Sequence, residues 1–191
     1  ARLRAAEREE SVDAEAVRQR VEALRRDGTQ ADALAQHEKL LRTIEADAAL
    51  RTNALGVLSL ARAARDAGAI FVQYSTDFVF DGETDHPYVE TDAPNPRSVY
   101  ATSKLVGEWF AADAIRAYVL RVESLFGHPG SAGARRGSLG SIVDRILAGS
   151  EVPVFVDRTV SPTYTADVAR ATRALIDAYD TQISDLELYL A

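Results

Sequence analysis

From residue 45 onward, segments with helical spacing alternate with short apolar strands, and this alternation limits the fold more than any other feature of the sequence. The predicted helices cover residues 48–67, 98–114, 142–147 and 165–179, and the predicted strands cover residues 70–74, 118–122 and 152–156. A helix between two successive strands is typical of a βαβ unit, in which the two strands lie parallel. The alternation therefore predicts an α/β fold with a mostly parallel sheet.

The first 44 residues differ from the rest because charged residues are dense there and cancel one another. They contain nine Lys and Arg and nine Asp and Glu, so residues 45–191 carry the whole net charge of −7. Apolar residues at helical spacing (Val17, Val21 and Leu24) lie between candidate N-caps (Ser11 and Asp13) and a helix-ending glycine (Gly28). With a second helix over residues 31–42, residues 1–44 are predicted to form a charged helical extension ahead of a domain over residues 45–191. This extension could also contact a partner chain or a second copy.

Composition excludes several classes of function. The chain has no Cys, so it can form neither a disulfide framework nor a cysteine-ligated zinc site, and the cytoplasm is the expected location. No apolar run approaches the roughly 18 residues of a membrane span, and the acidic balance disfavours nucleic acid as a partner. His37, His86 and His128 are scattered without acidic partners at metal spacing, so no metal site is predicted.

The strongest local signal for chemistry is the pair Tyr100 and Lys104, four residues apart on a predicted helix. Residues at this spacing share a helix face, so the ammonium of Lys104 can lie near the phenol of Tyr100 and favour its phenolate. A predicted strand runs into Ser75, Thr76 and Asp77, which places hydroxyl groups where open α/β sheets bind ligands. Together these groups could relay a proton to a carbonyl that is being reduced.

Ordered sequence blocks surround this pair and carry a family resemblance. They are residues 51–56 (RTNALG), 75–82 (STDFVFDG), 120–127 (LRVESLFG) and 161–169 (SPTYTADVA). In this order they resemble the extended short-chain dehydrogenase/reductase family, and look most like its dTDP-4-dehydrorhamnose reductases and related sugar-nucleotide reductases. The resemblance covers about residues 45–178. It implies a partial Rossmann-like, doubly wound parallel sheet, here with a helical N-terminal extension.

The resemblance also implies an activity, namely the NADPH- or NADH-dependent reduction of a nucleotide-linked 4-keto-deoxysugar. In this reaction Thr76 would hydrogen-bond the substrate carbonyl, Tyr100 would supply the proton, and Lys104 would tune Tyr100 and hold the nicotinamide ribose. The candidate cofactor-binding residues are Asn53, Ser75, Tyr100 and Lys104, and the candidate substrate-binding residues are Asp77, Phe78, Arg136, Ser161 and Thr163. Arg136 is included because a guanidinium group suits a diphosphate.

Residues 1–44 contain one glycine and so lack the Gly-rich turn that seats the pyrophosphate in family members. Three alternatives to a complete reductase site therefore stay open. Residues 127–133 have GxxGxxG spacing, and Asp157 and Arg158 follow them, so they could form a dinucleotide fingerprint, although Pro129 removes an N–H group. The missing turn also suits a non-catalytic regulatory or binding protein of the same fold. Finally, the absence of Met suggests a processed or truncated chain, whose open sheet edges would favour pairing with another chain.

Overall fold

Two parallel strands lie at the centre of the structure, a computed structural model that describes residues 13–127, 138–153 and 159–190. Strand β1 (Phe71–Thr76) pairs with strand β2 (Ala117–Val122), from Phe71 opposite Ala117 to Thr76 opposite Val122. A helix connects the two strands, as parallel pairing requires. The carboxyl ends of both strands therefore meet at one edge of the sheet, next to Thr76 and Val122.

Six α-helices of the described residues accompany the strand pair. They are α1 (Ala14–Asp27), α2 (Ala31–Leu50), α3 (Gly56–Asp66), α4 (Val99–Ala111), α5 (Ser138–Leu147) and α6 (Thr165–Leu190). A π-helical turn (Arg51–Leu55) joins α2 to α3, and a 3-10 turn (Asp77–Val79) follows β1. This order matches the α/β alternation predicted from the sequence up to residue 147, whereas the strand predicted over residues 152–156 is not among the described elements.

Helix α6 covers one face of the strand pair. Side chains alternate along a strand, so Tyr74 of β1 and Tyr118 of β2 lie on the same face of this in-register pair. The Tyr74 hydroxyl hydrogen-bonds to Thr172 Oγ1 of α6 at 2.7 Å, and the Tyr118 ring lies 6.4 Å from the ring of Tyr179. These two contacts place α6 across both strands.

Helix α4 covers the opposite face. Arg121 of β2 points to this face, and its guanidinium donates two hydrogen bonds to the Glu108 carboxylate of α4, at 3.0 and 2.7 Å. Helices thus lie on both faces of a parallel strand pair, which confirms the predicted partial, doubly wound α/β architecture.

Helices α1 and α2 form the expected helical hairpin. Asp13 begins α1 by accepting a hydrogen bond from the Glu15 N–H group at 2.9 Å. Gly28 follows the last residue of α1 at φ 70°, a left-handed conformation that favours glycine, and its N–H group donates to the Leu24 carbonyl. The buried side of α1 consists of Val17, Val21 and Leu24, which are the residues that helical spacing singled out.

Helix α2, the π-helical turn and α3 continue one another from Ala31 to Asp66. The predicted interruption between residues 42 and 48 is wrong, because no Gly or Pro between residues 31 and 55 breaks the helix there. Helix α2 runs through residues 44 and 45, and the division of the chain into residues 1–44 and 45–191 stays a prediction.

The ends of several elements differ from those predicted. Strand β1 extends to Thr76, so Ser75 and Thr76 belong to the strand and pair with Arg121 and Val122. Ser98 caps α4 by accepting a hydrogen bond from the Ala101 N–H group at 3.1 Å. The predicted strand over residues 152–156 lies mostly outside the described residues, and residues 151–153 are not in a strand. Among the described helices, none is long and apolar enough to cross a membrane.

Candidate functional site

The buried polar residues of the described chain lie on β1 and α4. They are Gln73 (9% exposed), Ser75 (4%), Thr76 (5%) and Ser103 (0%). A buried hydroxyl or amide costs free energy unless it finds a hydrogen-bond partner, and Ser75 Oγ has none among the described residues. This concentration of buried polar groups marks the end of β1 as the candidate site.

Thr76 ends β1 and begins the 3-10 turn. Its hydroxyl accepts a hydrogen bond from the Phe78 N–H group at 3.3 Å and donates to Asp77 Oδ1 at 2.9 Å. The side chain therefore caps the turn, and contact with a substrate carbonyl would require the hydroxyl to turn away from Asp77. Phe78 is exposed, so its ring is accessible to a molecule bound at this edge of the sheet.

Tyr100 lies in the first turn of α4, with an exposed side chain. Its ring contacts the ring of Phe78 edge to face, with centroids 6.5 Å apart and planes at 81°. This contact joins the start of α4 to the turn after β1. The structure thus brings Thr76, Phe78 and Tyr100, all predicted site residues, to the same end of the sheet.

Lys104 lies one helical turn after Tyr100 and reaches β1, where its Nζ donates to the Tyr74 carbonyl at 2.5 Å. The Phe71 N–H group donates to Arg116 O, so Phe71 and every second residue after it direct their backbone groups towards β2. Tyr74 lies between these residues, and its carbonyl therefore points to the edge of β1 that faces away from β2. No other strand of the described residues occupies that edge. Burial lowers the pKa of Lys104 below its usual value, while the charge of Glu108 acts in the opposite direction.

Asn53 lies in the π-helical turn and is tied to α4 by a buried serine. Asn53 Nδ2 donates to Ser103 Oγ at 3.1 Å, and Ser103 Oγ donates to the Tyr100 carbonyl at 2.7 Å. Gly107 allows the close approach, since a Cβ atom there would lie 2.2 Å from the Asn53 carbonyl oxygen. Single π-helical turns are frequent at functional sites, and this one connects a predicted cofactor residue to the backbone of Tyr100.

Ser103 and Gly107 are not among the site residues predicted from the sequence. The available signal was their spacing, because two small residues four positions apart on one helix face permit a close neighbour. That neighbour is the turn containing Asn53, which lies 50 residues away along the chain from Ser103.

The loop over residues 80–97 is organised by the carboxylate of Asp81. Asp81 Oδ1 accepts from the Glu83 N–H group at 3.0 Å and the Tyr88 hydroxyl at 2.7 Å, and Oδ2 accepts from Asn95 Nδ2 at 2.8 Å. These hydrogen bonds, led by that of Glu83 N–H, lower the pKa of Asp81 to about 2. The Asp81 carboxylate is therefore used within the loop, and the described residues contain no group of side chains suited to a metal ion.

The segment around Ser161 and Thr163 lies beside the chain that leaves β2. The Ser161 N–H group donates to Glu123 Oε2 at 2.6 Å, and the Glu123 N–H group donates to Thr163 Oγ1 at 3.1 Å. The Thr163 hydroxyl thus accepts a hydrogen bond from the backbone just beyond Val122, where β2 ends. Arg136, Asp157, Arg158 and residues 128–133 of the glycine-rich segment lie outside the described residues.

Similarity to a known sequence family extends over most of the chain. Residues 6–190 match the sequence model of the RmlD substrate binding domain. The dTDP-4-dehydrorhamnose reductase of Mycobacterium tuberculosis is 40% identical over 136 residues, which are 68% of this chain and 43% of that protein. Methionine adenosyltransferase 2 subunit beta of Danio rerio is 39% identical over 130 residues, which are 64% of this chain and 38% of that protein.

A solved structure shows the same likeness in three dimensions. The dTDP-4-dehydrorhamnose reductase of Bacillus anthracis in complex with NADP aligns with a TM-score of 0.59 and 31% identity, covering 65% of this chain and 43% of that one. The chain therefore spans less than half the length of the relatives that it matches.

Proposed function

Since the chain belongs to the RmlD substrate binding domain family, we propose that it carries the proton-transfer site for the reduction of a nucleotide-linked 4-keto-deoxysugar. The observation that supports this proposal most is the meeting of β1 and α4. There Lys104 bonds to the Tyr74 carbonyl, and Tyr100, one helical turn away, contacts Phe78. The Lys104 ammonium and the accessible Tyr100 phenol share one face of α4 beside the end of β1. A cation next to a phenol suits proton transfer to a carbonyl.

The polar groups near Lys104 fit a nicotinamide nucleotide. Ser75 offers a buried hydroxyl without a partner among the described residues, and Lys104 offers an ammonium at the edge of β1 that faces away from β2. Ribose hydroxyls and a carboxamide need donors and acceptors of these kinds. Ser75 and Lys104 would therefore hold the nicotinamide end, with Asn53 keeping the turn beside them in place. When bound, NADPH or NADH would supply the hydride to the keto carbon.

The protein's own residues would handle the proton. The Tyr100 phenol would donate its proton to the carbonyl oxygen, so that the C=O group becomes a C–H and an O–H bond. The Thr76 hydroxyl would leave Asp77 to hydrogen-bond the same oxygen, and the Lys104 ammonium would stabilise the phenolate that remains on Tyr100. Asp77 and Phe78 would border the sugar, while Ser161 and Thr163 would lie towards the nucleotide.

A turnover assay tests this proposal. We expect the chain to consume NADPH in the presence of a dTDP-4-keto-6-deoxysugar, and Tyr100→Phe to lower kcat by roughly 100-fold or more, as loss of a general acid does. Tyr118→Phe is the matched control, because Tyr118 lies at the start of β2 and contacts Tyr179 of α6. Equal rates for the wild-type chain and Tyr100→Phe would contradict the proposal. Cofactor binding without turnover would instead favour a regulatory relative of the reductases.

Composition and charge extend the proposal to location and assembly. The absence of Cys and the acidic charge support a cytoplasmic protein that binds neither membranes nor nucleic acid. Residues 1–44 would offer a helical surface to a partner chain or a second copy. Light scattering of the full chain tests association with a second copy, and a molar mass equal to that of one chain would exclude it.

A further inference from the structure

The loop over residues 80–97 connects the two elements that carry Phe78 and Tyr100. It leaves the 3-10 turn (Asp77–Val79), which contains Phe78, and it ends at Ser98, the N-cap of α4. The positions of these two ends therefore determine how the ring of Phe78 meets the ring of Tyr100. A loop of this length is held in one conformation only if contacts within it offset the conformational entropy lost.

Asp81 supplies those contacts across the loop. Its Oδ2 accepts from Asn95 Nδ2 at 2.8 Å, while the backbone N–H group of Asn95 donates to the Val79 carbonyl at 2.9 Å. The guanidinium of Arg97, the residue before Ser98, lies 3.6 Å from the same carboxylate oxygen. The end of the loop next to α4 is thus fastened to the beginning of the loop next to the 3-10 turn.

Aromatic contacts fix the base of the loop to the sheet and to α4. Tyr88, whose hydroxyl donates to Asp81, stacks on Phe80 with ring centroids 4.1 Å apart and planes at 6°. The Arg121 guanidinium lies 4.8 Å from the Phe80 ring centroid, and it is held by Glu108 of α4. Asp81, which closes the loop, is therefore linked through Tyr88 to Phe80, and Phe80 is held beside α4 by Arg121 and Glu108.

We propose that Asp81 is a positioning residue: by closing the loop over residues 80–97 it holds Phe78 against Tyr100, and so places the phenol for proton transfer. The effect on proton transfer rests on the proposed function, whereas the effect on the contact between Phe78 and Tyr100 does not. A displacement of about 1 Å at a reacting group can lower a rate by about 100-fold. Asp81 touches neither reacting group, and acts through the ends of the loop.

The variant Asp81→Asn tests this proposal because it keeps the size of the side chain and removes one acceptor oxygen and the charge. Glu83→Gln is the matched control, since it makes the same carboxylate-to-amide change two residues away, at an exposed residue paired with Arg97 at 3.1 Å. Tyr88→Phe is a milder second variant that removes one donor to Asp81. Contacts between the Phe78 and Tyr100 rings are read by nuclear Overhauser effects, and kcat and the NADPH Kd by kinetics and titration.

We expect Asp81→Asn to lose the ring-to-ring Overhauser effects at a temperature well below its Tm, and Tyr88→Phe to weaken them, while Glu83→Gln keeps them. In the same variants kcat should fall by at least about tenfold for Asp81→Asn, with the NADPH Kd within about twofold of wild type, because Lys104 and Ser75 lie outside the loop. Retained ring contacts in Asp81→Asn, or equal loss in Glu83→Gln, would overturn the proposal. If the wild-type chain shows no turnover, the proposed function fails and the ring contacts alone decide the role of Asp81.

Discussion

The helical hairpin (α1 and α2) and the junction of β1 with α4 bury different kinds of residue. The hairpin buries Val17, Val21 and Leu24 and no polar side chain, so its burial is purely apolar. The junction buries the polar groups of Ser75, Thr76 and Ser103. Apolar burial contributes about 1.5–3 kcal/mol for each large side chain, whereas a buried polar group that is hydrogen-bonded contributes a net of only about 0.5–1.5 kcal/mol. The buried residues of the hairpin therefore contribute mainly to the stability of the fold, whereas the buried polar groups of the junction contribute less to stability than apolar residues would at the same positions.

The two regions also use glycine differently, and this difference leads to the prediction with the largest effect. Gly107→Ala would place a Cβ atom 2.2 Å from the Asn53 carbonyl oxygen, and we expect it to lower the free energy of unfolding by about 3 kcal/mol or more. Gly28→Ala in the hairpin meets no atom within 4 Å, and its cost is the left-handed backbone alone, about 1–2 kcal/mol. Urea unfolding measures both. Equal costs would contradict the tight contact between α4 and the π-helical turn.

The second prediction concerns the buried hydroxyl of Ser103. Ser103→Ala leaves the Asn53 carboxamide without its acceptor, and we expect a loss of about 1–3 kcal/mol, the cost of an unsatisfied buried group. Thr43→Ala is the hairpin counterpart, because Thr43 Oγ1 donates to the Lys39 carbonyl at 3.0 Å on an exposed face. Its removal should change the unfolding free energy by less than about 0.5 kcal/mol. A result in which Thr43→Ala costs as much as Ser103→Ala would remove the distinction between the two regions.

The third and smallest predicted effect concerns the ion pairs between the hairpin helices. Arg25 Nη2 lies 2.7 Å from Glu38 Oε1, and Arg18 Nη2 lies 3.1 Å from Glu45 Oε1. Three of these side chains are exposed, and that of Glu38 is half-buried. Exposed pairs contribute about 0.2–1 kcal/mol, so a double-mutant cycle of Arg25→Ala and Glu38→Ala should give a coupling in that range. The coupling should shrink further in high salt. A coupling above about 2 kcal/mol would show that charge, rather than apolar burial, holds the hairpin together.

Local signals in the sequence were sufficient to predict the hairpin. Asp13 and Gly28 bracket an apolar stripe on α1, and each of these signals acts within one helix turn of the residue that carries it. The two strands are also predicted, because short and mostly apolar runs bounded by helices favour the strands of a parallel sheet. The end of β1 was placed two residues early, since the hydroxyls of Ser75 and Thr76 resemble turn residues and join the strand only through pairing with β2.

The candidate site was predicted in part. Tyr100 and Lys104 share a helix face, and spacing alone predicts that relation. The link between Asn53 and Ser103 spans 50 residues, and the link between Asp81 and Asn95 spans 14, so both depend on tertiary packing that no local pattern contains. The π-helical turn at Asn53 was missed for the same reason, because its neighbour Gly107 lies on another helix.

We propose that the chemistry of this chain lies where β1 meets α4, and that the hairpin takes no part in it. Titration of the isotope-labelled chain with NADPH, followed by backbone amide chemical shifts, tests this claim most directly. We expect shift changes at Ser75, Thr76, Tyr100 and Lys104 and none over residues 13–50. Shift changes confined to residues 13–50, or none anywhere at saturating NADPH, would contradict it.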